Sequence, residues 1–165
     1  MNVWVIVASK YGSTREIGDA IAEELRAHGH EVEVKDAAGV EDLDEPDAII
    51  LGSAIYAGRW LKEARQLVEQ RAGELAARPT WLFSSGPIGD PPKPEEAEPE
   101  GISDAIAATS ARDHEIFAGK LDYSALNRFE WLLVKALKAP EGDFRDWETI
   151  RKWANTLSTQ LTRRV

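Results

Sequence analysis

Short apolar runs of strand length alternate with helical patterns along nearly the whole chain, and this alternation constrains the fold more than any other feature. Residues 3–8 are continuously apolar and rich in β-branched side chains, which is typical of a strand covered on both faces. Four later runs also fit strands, at residues 31–35, 48–52, 80–84 and 115–118. Alternation of this kind predicts an α/β fold, a doubly wound parallel sheet with helices on both faces.

A helix is predicted between the first two runs, where Ile17, Ile21 and Leu25 recur at helical spacing before a stop at Gly29. Further helices are predicted over residues 61–75, 102–109 and 147–161. Ligands of doubly wound sheets bind outside the carboxyl ends of the strands, where the strand order reverses. The loops after the first, third and fourth runs are therefore the candidate ligand site.

Composition limits the classes of function that the chain can serve. With 165 residues it has the size of one globular domain, and its formal charge of -9 disfavours nucleic acid. That acidity suits either solubility or docking to a basic partner. Because the chain has no cysteine, disulfides and thiol chemistry are excluded, and redox chemistry requires a bound cofactor. With neither a signal peptide nor an apolar run of membrane-spanning length, a cytoplasmic location is expected.

The turn "SKYGST" after the first strand collects hydrogen-bond donors. The hydroxyls of Ser9, Ser13 and Thr14 and the free backbone N–H groups at the start of the next helix all belong to this turn, and Gly12 allows close approach of a ligand. These features predict an anion site for a phosphate. A second interpretation stays open, in which Ser13 and Glu16 only form a capping box for the helix.

The two later loops suit a flat aromatic ring. The first, "GSAIYAGRW", places small residues around Tyr56 and Trp60, which offer backbone access and an aromatic plane for stacking. The second, "SSGPIGD", supplies glycines and hydroxyls whose main-chain groups could bond a ring edge. Tyr56 could equally be an ordinary packed tyrosine.

Two segments stand apart from the alternating pattern. Residues 86–101 are rich in proline and acid, which predicts an extended loop. Residues 124–138 are predicted to form a helix with more apolar surface than an exposed helix needs, including Leu126, Phe129 and Trp131. That surface either packs in the core or contacts a membrane or a partner.

Together the three loops resemble those of the flavodoxin-like FMN-binding family, in which the turn after the first strand has the form T/S-x-T-G-x-T. This chain matches its specified positions at Ser9, Gly12 and Thr14 and departs at Tyr11. The resemblance implies one flavodoxin-like domain over residues 1–165, with a five-stranded sheet in the order 2-1-3-4-5. It also implies FMN as the cofactor and no metal ion. The implied FMN contacts are Ser9, Tyr11, Gly12, Ser13, Thr14, Ser53, Ala54, Ile55, Tyr56, Ala57, Gly58, Ser85, Gly86, Pro87, Ile88, Gly89 and Asp90.

Within this family the chain is most similar to the menaquinone-dependent protoporphyrinogen dehydrogenases of haem synthesis. The supporting stretches are "YGSTREIGDAIAEEL", "ILGSAIYAGRW", "FAGKLDYSALNRFEWLLVKALK" and "DWETIRKWA". The third stretch contains the hydrophobic helix, an insert over about residues 122–139 that a minimal flavodoxin lacks. By this resemblance the insert is the part that would contact a tetrapyrrole or a quinone at the membrane.

The resemblance implies an FMN-dependent oxidoreductase whose partners are a quinone or redox protein, with a tetrapyrrole substrate and peripheral membrane contact through the insert. A flavodoxin-type electron carrier docking a basic redox partner is the alternative, and a helper protein without flavin is a third reading. No general base stands out. Among the weak candidates for a general base, Asp90 is the best placed. Residues 90–101 contain one lysine among many acids, and such an acidic loop does not favour the propionate groups of a porphyrin.

Overall fold

The computed structural model describes residues 1–86, 98–136 and 141–163. The predicted site residues Pro87, Ile88, Gly89 and Asp90, most of the acidic loop, and the last two residues of the predicted insert helix lie outside this described part. The strands are β1 (Asn2–Ala8), β2 (Glu31–Asp36), β3 (Ala48–Tyr56), β4 (Arg59–Trp60), β5 (Thr80–Ser85), β6 (His114–Phe117), β7 (Lys120–Leu121) and β8 (Gly142–Asp143). The α-helices are α1 (Ser13–Ala27), α2 (Lys62–Ala76), α3 (Ile102–Thr109), α4 (Arg128–Ala136) and α5 (Trp147–Thr162).

The sheet has the predicted topology. Its main strands lie in the order β2-β1-β3-β5-β6, and all of these neighbours are parallel. Counted without the short β4, this is the order 2-1-3-4-5, so the predicted fold class is confirmed. Strand β4 was not predicted, and it pairs antiparallel with the end of β3 through Ile55 and Tyr56.

Two apolar layers cover the sheet, one on each face. Alternate residues of β1 point to opposite sides, so Val5 belongs to the layer beneath α1 and α5, whereas Ile6 belongs to the layer beneath α2 and α3. Both side chains are completely buried. Burial on both faces explains why the first strand is apolar at every position rather than at every second one.

The insert differs from its prediction in both extent and burial. It begins with the short strand β7 and a 3-10 turn at Tyr123–Ala125, and α4 starts only at Arg128. The helix starts there because the Asn127 side chain caps it, its Oδ1 accepting a hydrogen bond from the Glu130 N–H at 2.9 Å. Several apolar side chains of α4 are exposed, 73% for Phe129 and 55% for Leu132, so the first of the two alternatives for this helix, packing in the core, is wrong.

Among the described residues, no helix combines the length and the apolar character needed to cross a membrane.

Candidate functional site

The carboxyl ends of β1, β3 and β5 meet at one edge of the sheet, beside the insert, and enclose a cavity of about 310 Å³. Such an edge is the usual ligand position in an open parallel sheet. Nine of the predicted site residues line this cavity: Tyr11, Ser13, Thr14, Ala54, Ile55, Tyr56, Ala57, Ser85 and Gly86. The cavity thus brings the three predicted loops together.

The first loop presents the start of α1. Gly12 has a left-handed backbone with φ 89° and is the N-cap, and its own N–H donates to Ser9 Oγ at 3.1 Å. The first helical hydrogen bond runs from Glu16 N to Gly12 O at 3.0 Å. The N–H groups of Ser13, Thr14 and Arg15 therefore have no partner within the helix, which is the arrangement that binds anions.

The capping-box interpretation of this loop is wrong. The N-cap is Gly12 and not Ser13, and no side chain caps the helix. Glu16 instead accepts a hydrogen bond from Arg145 Nη1 at 3.1 Å. The physical reason is that Gly12 takes the left-handed conformation, which places Ser13 inside the first helical turn.

Arg145 braces the start of α1 from the chain segment that follows the insert. Its buried guanidinium donates to Ser13 O at 3.1 Å and to both carboxylate oxygens of Asp143, at 2.9 and 2.8 Å. The hydrogen bonds from Arg145 hold the pKa of Asp143 below its ordinary value, even though partial burial opposes this. Arg145 therefore fixes the first turn of α1 to the segment that follows the insert.

Tyr11 turns its hydroxyl away from the start of α1 and toward the insert. The hydroxyl donates a hydrogen bond to Glu130 Oε2, and the same oxygen accepts one from Lys10 Nζ at 3.0 Å. Burial of Glu130 opposes its ionisation, but the bonds from Tyr11 and Lys10 outweigh this and lower its pKa. The backbone amides at the start of α1 are thus left to a ligand.

The second loop offers one aromatic ring to the cavity. Tyr56 is half-exposed, and Lys10 Nζ lies 4.4 Å from the centre of its ring. Trp60, predicted as a second stacking plane, is buried and donates through Nε1 to Ser84 Oγ at 2.8 Å, so that prediction is wrong. Ser53 is also buried, and it organises the turn by accepting from Leu61 N at 3.0 Å.

The third loop reaches the cavity through Ser85 and Gly86. Gly86 N donates to Phe117 O at 3.3 Å, so the loop is tied to the end of β6. The backbone approaches closely there, because a Cβ added at Gly119 would lie 2.8 Å from Gly86 Cα. The continuation of this loop, with four predicted contacts, lies outside the described residues. Ser9, Gly12, Ser53 and Gly58 are the other predicted contacts that do not line this cavity, although Ser9 lines an adjacent open cleft.

Several residues that line the cavity were missed from the sequence. Lys10 lies inside the quoted turn, and its charge next to a predicted anion site was a usable signal. Glu16 and Leu61 also line the cavity. The insert and the glycine before it supply the others, namely Gly119, Lys120, Leu121, Asp122, Ala125, Leu126, Glu130, Leu133 and Val134. No local pattern marks these residues, because they are more than 100 positions away from the first loop.

Comparison with known proteins now identifies the family. A family model described as the flavodoxin domain matches residues 4–148. The chain belongs to the flavodoxin domain family. This flavodoxin domain is also similar to the protein named protoporphyrinogen IX dehydrogenase [quinone] of Escherichia coli strain K12, with 23% identity over 96% of this chain and 95% of the relative.

Solved structures share the same fold. The Streptococcus pneumonia TIGR4 flavodoxin matches with a TM-score of 0.60 and 18% identity, covering 100% of both chains. The rubredoxin oxygen:oxidoreductase of Desulfovibrio gigas matches with a TM-score of 0.66 and 14% identity. That match covers 98% of this chain but only 36% of the oxidoreductase, so this chain corresponds to about a third of the longer protein.

Membership of the flavodoxin family makes FMN the cofactor of this chain, and the donors around the cavity fit that molecule. The free N–H groups of Ser13 and Thr14 suit its phosphate monoester without a metal ion. An apolar band that includes Ile55 and Leu61, next to the half-exposed ring of Tyr56, suits the flavin ring.

Proposed function

We propose that this protein is an FMN-dependent oxidoreductase with an activity like that of protoporphyrinogen IX dehydrogenase. The observation that carries the proposal is the insert helix α4, which lines the FMN cavity with Leu133 and Val134 and exposes Phe129 and Leu132 beside it. An exposed apolar face next to a redox site suits an apolar substrate better than a hydrophilic protein partner. The similarity to the dehydrogenase of Escherichia coli over 96% of the chain supports the same activity.

Bound FMN supplies the redox chemistry, since it accepts electrons from one partner and passes them to another. The residues of this chain bind and orient it. The amides at the start of α1 would hold its phosphate, the phenol ring of Tyr56 would be available to stack on its ring, and α4 would exclude water from one side of the cavity. No side chain of the described site is assigned as a general base.

The decisive experiment begins with an absorbance spectrum of the purified protein after FMN addition. The flavin band should shift, and flavin fluorescence should be quenched on titration. The loaded protein is then assayed anaerobically with protoporphyrinogen and a menaquinone analogue, and in parallel with a ferredoxin reductase. Turnover with the porphyrinogen would support the proposed enzyme activity. Reduction by the reductase alone would establish the alternative, an electron carrier whose charge of -9 docks a basic partner.

We further propose that α4 contacts the cytoplasmic face of a membrane, where an apolar quinone would be reached. Its exposed apolar residues lie beside the cations Arg128 and Lys135, a combination that binds anionic lipid surfaces. Vesicles of phosphatidylcholine with phosphatidylglycerol should therefore co-sediment the protein. Replacing Trp131 and Leu132 by serine should reduce the bound fraction severalfold. Equal sedimentation of the variant and the wild type would refute membrane contact through α4.

A further inference from the structure

Helix α4 is held in place by a charge rather than by apolar packing. Glu130 is the buried residue of Arg128–Ala136, with only 3% of its surface exposed. Phe129, Leu132 and Leu133 of the same helix expose 73%, 55% and 42%. Apolar burial therefore contributes little to the position of α4. The contacts of one carboxylate must account for its place at the cavity.

That carboxylate is bonded to the loop that receives the FMN phosphate. Glu130 Oε2 accepts hydrogen bonds from the Tyr11 hydroxyl and from Lys10 Nζ, and both donors directly precede Gly12. Charge-assisted hydrogen bonds are stronger than neutral ones, and this pair includes a buried acceptor. The second oxygen, Oε1, is buried and has no hydrogen-bond partner within the described residues. Burying this oxygen without a partner costs free energy, which the charge-assisted hydrogen bonds to Oε2 must offset.

The far end of the insert is tied to the same helix start. Beyond α4, Phe144 N donates to Gly119 O at 3.0 Å, and Arg145 donates to Ser13 O at 3.1 Å. The first of these bonds closes the insert on itself, and the second ties its far end to the first turn of α1. Together with the bonds of Glu130 to Tyr11 and Lys10, the insert is therefore attached both to the first loop and to the start of α1, where the phosphate would bind. A ligand that orders this loop would order α4 as well.

We propose that Glu130 is a positioning residue: through Tyr11 and Lys10 it holds α4 as a wall of the FMN cavity, so that FMN occupancy and the order of α4 are coupled. The coupling is reciprocal by thermodynamic necessity. Bound FMN would favour the closed position of α4, and a well-held α4 would tighten FMN binding by the same factor. The inference rests on FMN binding but not on the identity of the substrate.

Hydrogen exchange of the full-length protein, followed by mass spectrometry, measures the order of α4 directly. We expect the amides of α4 in the apo protein to exchange about tenfold faster in Glu130→Ala than in the wild type, since a hydrogen bond to a charged group is worth about that factor. Glu130→Gln, which keeps an acceptor oxygen, should fall between the two. Glu148→Gln is the matched control, because Glu148 is exposed on α5 and forms a surface ion pair with Lys152.

FMN itself provides the second measurement. Addition of FMN should slow exchange of α4 in the wild type, and FMN should dissociate about tenfold faster from Glu130→Ala. Tyr11→Phe should accelerate FMN release in the wild-type background and have no further effect on top of Glu130→Ala. If β1 and β3 stay protected while α4 exchange and FMN release are unchanged in these variants, the positioning role is refuted. Failure of the wild type to bind FMN would instead refute the cofactor assignment.

Discussion

The most direct test of the phosphate site uses two glycines that share one conformation. Gly12 at the start of α1 and Gly29 after its end both have φ +89°, and an added Cβ would meet nothing within 4 Å at either position. Gly29 ends the helix through hydrogen bonds from its own N–H to Arg26 O at 2.9 Å and from His30 N to Leu25 O at 3.2 Å. Alanine substitution therefore adds the same backbone strain at both positions and no clash.

The size of the strain follows from the backbone angle. A residue with a Cβ in the left-handed region costs about 1–2 kcal/mol, which for a chain of this length lowers the melting temperature by about 2–8 °C. Gly12→Ala and Gly29→Ala should therefore lose similar amounts of stability. Only Gly12 directly precedes the free amides of Ser13 and Thr14. Relief of the strain by a change in φ would turn these amides away from the phosphate.

The expected consequence for FMN is a difference between the two variants. Loss of one amide hydrogen bond to a charged phosphate weakens binding by about tenfold or more. Gly12→Ala should lose at least that factor, and Gly29→Ala should bind like the wild type. Thermal unfolding followed by circular dichroism gives the stability, and quenching of flavin fluorescence gives the affinity. If the variants bind FMN equally, the phosphate does not lie on the start of α1.

Two further predictions concern the body of the fold. Gly52→Ala should lower the free energy of unfolding in urea by about 1–3 kcal/mol or more, because the added Cβ would lie 2.0 Å from the buried ring of Phe83. Gly73→Ala, at an exposed position of α2 with open space around it, should raise it by about 0.5–1 kcal/mol. Equal effects of the two substitutions would refute the packing argument. Burial lowers the pKa of His114 below its unfolded value, although nearby carboxylates oppose this. The contribution of neutral His114 to stability is therefore complete above about pH 6.5 and is lost as the pH falls through the folded pKa. His114→Asn should flatten that part of the stability profile between pH 7.5 and 5, and an unchanged slope would contradict the assignment.

The topology could be predicted from the sequence because the pattern that encodes it is local. A continuous apolar run such as residues 3–8 marks a strand buried on both faces, and alternation with helices leaves few ways to connect parallel strands. The short strand β4 escaped prediction because two residues carry no periodicity. The start of α4 at Arg128 depends on the Asn127 cap, and an asparagine inside a continuous helical pattern does not by itself mark a helix start.

Some residues of the site could also be predicted from local sequence, and others could not. The turn at Gly12 and the ring of Tyr56 could be located because each follows a predicted strand and has a chemistry of its own. Trp60 was misplaced because its indole N–H finds a buried acceptor in Ser84, which the sequence does not reveal. Glu130 could not be predicted as a site residue, for a different reason. Its partner Tyr11 is 119 positions away, and a glutamate in an amphipathic helix ordinarily faces solvent.

The charges around the cavity bear on the choice between enzyme and carrier. A carrier that uses a net charge of -9 to dock a basic partner needs its acidic surface close to the flavin. On α4 itself the exposed charged residues are the cations Arg128 and Lys135, and the carboxylate of Glu130 is buried and paired with Lys10. The described lining of the cavity carries charges of both signs, including Lys120, Glu16 and Asp122. A basic protein approaching α4 would therefore meet cations and apolar side chains. An apolar molecule that carries carboxylates would meet opposite charge there, which is why α4 favours the substrate-binding interpretation despite the acidity of the chain as a whole.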